Sequence, residues 1–185
     1  MTTMEEYKAM TATSTVPVDD PAAIERADLL DLLTKHRFFL RVTVDGLSDE
    51  QASQRTTASQ LTLGGLVKHV TFCERGWVNF ILDGPSAMAM TESSYADHEN
   101  SFRLLDGETL EGVLATYAEV AARTDALLAE VDLNASHPLP EAPWFAPGAR
   151  WTARRVLTHI VAETAQHAGH ADIIRESLDG SRTMG

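Results

Sequence analysis

The sequence predicts an all-α fold, a four-helix bundle whose helices are joined by long connections. Three observations carry that expectation. Four stretches place apolar residues at every third or fourth position, the pattern of an amphipathic helix. Each stretch is bracketed by capping or breaking residues, and no segment alternates convincingly with the two-residue period of a half-buried strand. With 185 residues, 44% of them apolar, the chain suffices for one hydrophobic core, and four long helices sharing a core pack as a bundle.

The elements follow in order. Residues 1–18 are rich in Thr, Ser, Met and Pro without periodicity, so they read as a flexible N-terminal arm, with residues 19–185 as a single domain. Asp19-Asp20-Pro21 starts the first long helix, an acidic cap followed by a proline whose missing N–H costs nothing in a first turn. Its inward face is expected to hold Leu29, Leu32, Leu33, His36 and Leu40, and Gly46 ends it. Gly46-Leu47-Ser48-Asp49-Glu50 then reads as a turn that caps a further short helix. Thr62 caps the second long helix, which runs to about Leu82 before Asp83-Gly84-Pro85 breaks it. Leu66, His69, Val70, Phe72, Cys73, Trp77 and Phe80 share one face of it. Residues 83–108 read as an irregular stretch, too long for an ordinary connector, that wraps the bundle or contributes to a site. The third helix runs from about Thr109 to Val131, with Val113, Leu114, Tyr117, Ala121, Thr124, Leu128 and Val131 inward. Pro138, Pro140, Pro143 and Pro147 then exclude helix. The aromatic pair Trp144-Phe145 between them either roofs a pocket or plugs the bundle end. The fourth helix begins near Thr152 and ends around Leu178, before Asp179-Gly180.

Composition narrows the function. Fifteen Lys and Arg against 27 Asp and Glu leave a net charge of −12, which disfavours phosphate backbones and anionic membranes. A single cysteine, Cys73, excludes an internal disulfide and fits a reducing compartment. The N-terminus has neither the basic start nor the apolar run of a secretory signal. These features point to a cytoplasmic protein with a small-molecule substrate and no nucleic-acid or membrane partner, and, because a four-helix unit often buries a further apolar face, the chain is expected to pair as a homodimer.

The chemistry concentrates on the fourth helix. His159, Glu163, His167 and His170 follow at spacings of four, four and three, within about 80° of one another at ~100° per residue. That sector overlaps the apolar stripe of Val156, Ile160, Thr164, Ala168, Ala171 and Ile174, while Arg155, Ala162, Gln166, Gly169 and Glu176 face water. Several ionisable groups turned inward must be paired, hydrogen-bonded or bound to a metal. Glu163 and His167 are placed to chelate one ion, and His69, the one histidine on the apolar face of the second helix, is the natural third donor. The residues alone leave that reading open against hydrogen-bonded core histidines. His36 reads as a core or rim residue, His98 and His137 as loop residues, Cys73 as an inert small hydrophobe, and Arg175 as an outward-snorkelling arginine rather than a carboxylate clamp.

At these residues the chain resembles the DinB/YfiT-like superfamily of metal-binding four-helix bundles, in particular an uncharacterised actinobacterial-type branch related to mycothiol-dependent enzymes. The resemblance rests on Gly46-Leu47-Ser48-Asp49-Glu50-Gln51, on Leu61-Thr62-Leu63-Gly64-Gly65-Leu66-Val67-Lys68-His69 and on Trp151-Thr152. Most specific is Glu163-Thr164-Ala165-Gln166-His167-Ala168-Gly169-His170-Ala171-Asp172-Ile173-Ile174-Arg175-Glu176, and the likeness spans roughly residues 22–180. It implies a divalent metal held by His69, Glu163 and His167. A common version of the motif has histidine where this chain has Glu163, and the glutamate version is similar to that of mycothiol-dependent maleylpyruvate isomerases. His170 falls where other members often carry glutamine, so its role does not transfer.

Two imidazoles and one carboxylate leave coordination positions open, the mark of a catalytic rather than a structural site. The expected activity is a divalent-metal-dependent thiol S-transferase, using a low-molecular-weight thiol of the mycothiol or bacillithiol type on a small electrophile. Zinc is the first choice of metal, ahead of nickel, iron and manganese. His170 is the candidate catalytic base, with His159 as an alternative or as a support for a ligand. The alternatives are a metal-dependent hydrolase of a small substrate and a non-catalytic metal- or ligand-binding stress-response bundle.

Overall fold

Side-chain caps set the helix boundaries. In the computed structural model, which describes residues 20–89 and 91–183, the Asp20 carboxylate accepts from the backbone N–H groups of Ala22 and Ala23 and starts α1 (Pro21–Val42). Ser48 and Gln51 form a reciprocal capping box on the short α2 (Asp49–Ser53), satisfying two donors that a helix start otherwise strands. Thr62 caps α3 (Leu63–Asp83). A 3-10 turn over Gly84–Met88 and α4 (Glu92–Asn100) follow. Thr109 caps α5 (Leu110–Glu130). β1 (Ser136–Pro138) and β2 (Arg150–Thr152) pair antiparallel with His137 opposite Trp151, and Thr152 caps α6 (Ala153–Asp179). The expected N-terminal arm, residues 1–18, lies outside the described residues.

The protein is thus predominantly helical with a minute two-stranded sheet. The irregular reading of residues 83–108 is corrected by the 3-10 turn and by α4. Helix α4 is nearly devoid of apolar residues, so it has no periodicity to read, and a Thr91–Ser94 capping box starts it instead. The expectation of no strand is corrected by β1 and β2. Three residues are too few to show alternation, and the pairing satisfies backbone groups that the prolines keep out of a helix.

Helix α1 packs on α6 and α5, and α3 packs on the same two helices. Buried apolar residues gather in two clusters. One holds Leu40, Leu66, Val70, Tyr117, Ala171 and Ile174, the other Leu33, Trp77, Phe80, Leu128, Leu157 and Ile160. Between them lie the polar residues Arg37, Glu74, Thr124 and Thr164, one on each long helix and all buried. Arg37 pairs with Glu74 at 2.5 Å and with Asp125 at 2.7 Å, and the Thr124 hydroxyl donates to Glu74 at 2.6 Å. Glu74 is only 1% exposed, a depth that a carboxylate tolerates only when paired and hydrogen-bonded.

Some inward assignments shift. Leu32 is 40% exposed, because it stands at the edge of the α1 stripe, while Arg37 and Phe38 are buried. Arg175 does not snorkel. It pairs with Asp179 at 2.9 Å and donates to the carbonyls of Thr43 and Asp45, clamping the end of α6 to the turn after α1. That arginine holds the Asp179 carboxyl down at about 2. Of the aromatic pair, Phe145 packs against the second cluster and Trp144 is exposed.

Candidate metal centre

The site is built on α3 and α6. Thr62 and the pair Gly64-Gly65 open α3, and His69 follows one turn later with its ring buried. A Cβ on Gly65 would meet the Phe102 carbonyl oxygen at 2.0 Å, and one on Gly64 would meet Leu104 Cδ1 at 2.8 Å. At position 65 only glycine lets the Phe102 backbone lie this close against the helix, while Gly64 makes room for the Leu104 side chain. That approach stacks Phe102 on the His69 ring, centroids 3.8 Å apart and planes 20° from parallel. It also sets the Ser101 hydroxyl 2.9 Å from His69 Nδ1.

From α6, Glu163 and His167 converge on the same point. One donor atom from each of His69, Glu163 and His167 lies within 4.8 Å of the other two. The His69 and His167 rings meet edge to face at 4.9 Å. One Glu163 oxygen lies 3.6 Å from His167 Nε2, and the other lies 3.6 Å from His159 Nε2. His159 itself lies against two stacked indoles, its ring 4.9 Å from Trp77 and 5.1 Å from Trp151.

The surroundings keep the imidazoles neutral. Burial, followed by the like charges of His167 and His98, pulls the His69 pKa down to about 4. Burial also lowers His167 and His159, with Glu163 opposing in both. Neutral rings are what a cation needs, since a protonated histidine has no lone pair to give. Cys73 stands 3.4 Å from His69 Nε2. Burial, then the Glu163 charge, pushes its thiol up to about 12, so at neutral pH it is a thiol and not a nucleophile.

The donor set fits a divalent ion. It combines two neutral nitrogens with one carboxylate, and the buried His167 Nδ1 has no hydrogen-bond partner among the described residues. His170 stands one turn beyond, its ring 5.5 Å from His167, and its buried Nδ1 also lacks a partner.

His98 and His137 are not loop residues. His98 lies on α4 with its ring 5.6 Å from His69. His137 lies on β1, where its Nε2 donates to the Ile81 carbonyl. Sequence reasoning missed Ser101 and Phe102 altogether. The only signal was the unusual length of the segment that carries them.

A family model described as mycothiol-S-transferase matches residues 28–180. No individual curated protein matches the chain.

Proposed function

The chain belongs to the mycothiol S-transferase family, within the DinB/YfiT-like superfamily, and on that premise we propose that it is a divalent-metal-dependent enzyme passing a low-molecular-weight thiol to a small electrophile. The observation that carries the metal dependence is the meeting of His69, Glu163 and His167 within 4.8 Å. A divalent ion on these three residues, zinc in the first instance, would lower the pKa of a sulfur ligand toward neutrality. Mycothiol is the thiol that the family name supports.

The chain's own residues do the rest. Glu163 supplies the single negative charge, and the desolvated rings of His69 and His167 supply neutral nitrogens. His170, with its unpaired Nδ1, accepts the thiol proton. The sulfur lone pair then forms the new bond to the electrophilic atom, and the proton passes to the adduct or to the departing group. His159 steadies the second Glu163 oxygen, and Trp77 and Trp151 close that flank with apolar surface. We read the four long helices as one DinB-like four-helix-bundle domain over residues 19–185, cytoplasmic and homodimeric. No helix of the described residues is long and apolar enough to cross a membrane.

The test is elemental analysis of the purified protein together with turnover of a generic electrophile. Turnover should require both the ion and mycothiol, vanish on chelation and return with added zinc. Turnover that needs the ion but no thiol would make the protein a hydrolase. Metal-dependent melting without turnover would make it a binding module.

A further inference from the structure

We propose that Ser101 is a positioning residue that fixes the tautomer and orientation of His69, and thereby sets the metal affinity of the site. The proposal rests on the metal reading above, but its core is a property of the metal-free chain. A serine hydroxyl has a single proton, and that of Ser101 points to the His98 carbonyl at 2.6 Å. Toward His69 Nδ1, 2.9 Å away, the same oxygen can therefore only accept. His69 must carry its proton on Nδ1, which leaves Nε2 bare on the opposite side of the ring. Nε2 is the atom beside Cys73 Sγ and the one left for an ion.

The arrangement is enclosed as well as directional. Ser101 is 2% exposed and His69 5%, so water does not compete for these bonds and their electrostatic strength is greater than in solvent. Phe102, the next residue, holds the ring plane by stacking on it. Both residues reach His69 because Gly65 leaves no Cβ in the way of the Phe102 backbone. Segment 101–104 thus acts as a clamp that orients the ring and selects its lone pair. In metal sites an outer hydrogen bond of this kind typically contributes about 10- to 100-fold in affinity.

A residue that merely capped α4 would not decide which nitrogen of His69 is protonated, and the test uses that difference. Long-range proton–nitrogen spectra of the metal-free wild-type protein should show His69 as the Nδ1–H tautomer. Ser101→Ala should lose that preference and weaken zinc binding, measured by chelator competition, by about 10- to 100-fold. Ser101→Thr, which keeps the hydroxyl, should restore both. An Nε2–H tautomer in the wild type overturns the proposal and needs no variant, so a poorly folding Ser101→Ala cannot shelter it. Unchanged tautomer and affinity in a folded Ser101→Ala overturn it equally. If the wild type binds no metal but shows the Nδ1–H tautomer lost in Ser101→Ala, the metal reading fails and the positioning of His69 stands.

Discussion

Replacing His167 by alanine separates the metal from the fold. The side chain is 12% exposed and belongs to neither apolar cluster. Its Nδ1 makes no hydrogen bond that could be lost. What disappears in the metal-free protein is ring contact with His69 and His170 and the approach of Nε2 to Glu163, worth about 1 kcal/mol together. For a chain of this size that corresponds to a fall of about 2–4 °C in Tm. Metal-stripped wild type and His167→Ala should therefore both stay folded at room temperature and melt within that interval of each other. Adding zinc at a thousandfold excess over Kd should stabilise the wild type by about 4.1 kcal/mol, or about 8–16 °C, and leave the mutant near its metal-free Tm. Calorimetry with and without zinc, paired with elemental analysis and turnover, reads all of this. A stripped wild type without a cooperative transition would show that metal-binding energy is folding energy, and the site would be a structural tie between α3 and α6. A fully active His167→Ala would refute the enzyme reading itself.

Glu74→Ala leaves Arg37 buried with, among the described residues, only the half-exposed Asp125 as a charge partner, so urea denaturation should show a loss of about 3–5 kcal/mol. The double change Arg37→Met with Glu74→Leu should recover most of it, and a loss below about 1 kcal/mol in the single variant would contradict the buried-pair argument. Gly65→Ala drives a Cβ into the Phe102 carbonyl and should lower stability by about 1–3 kcal/mol together with zinc affinity. Gly169→Ala, with open space around its Cβ, should stabilise by about 0.4–1 kcal/mol and leave affinity unchanged. Cys73, with its thiol pushed up to about 12, is almost wholly protonated at neutral pH, so iodoacetamide, which reacts with the thiolate, should label the folded, metal-free protein slowly, at a rate that climbs about tenfold per pH unit and does not level off in mildly alkaline solution. Rapid labelling already at neutral pH, or a rate that levels off in the mildly alkaline range, would defeat this reading, and Cys73→Ala should keep both metal and turnover.

The site was partly legible in the sequence because its α6 half is local. Glu163 and His167 are four residues apart, and helical periodicity alone puts them on one face beside His159 and His170. Finding His69 took one further step, the recognition that a lone histidine on an apolar face needs a partner. Ser101, Phe102 and His98 could not be found that way. They come from a segment with almost no hydrophobic pattern, and the approach of Ser101 and Phe102 to His69 depends on the missing Cβ of Gly65, a contact between residues far apart in the chain. Leu32 was misplaced, and Arg37 was passed over, for a related reason. A helical wheel ranks positions by residue type, whereas burial is set by which neighbouring helix lies over them.

The chain by itself determined the four long helices, their caps and the spacing of the α6 donors, since these follow from interactions between residues no more than a few positions apart. Only the tertiary structure decided that Arg37, Glu74 and Thr124 form a buried charged layer between two apolar clusters. The reason is that charge is a poor guide to burial when the compensating partner sits on another helix. Glu74 read alone belongs in water, and with Arg37 and Thr124 around it, it belongs inside.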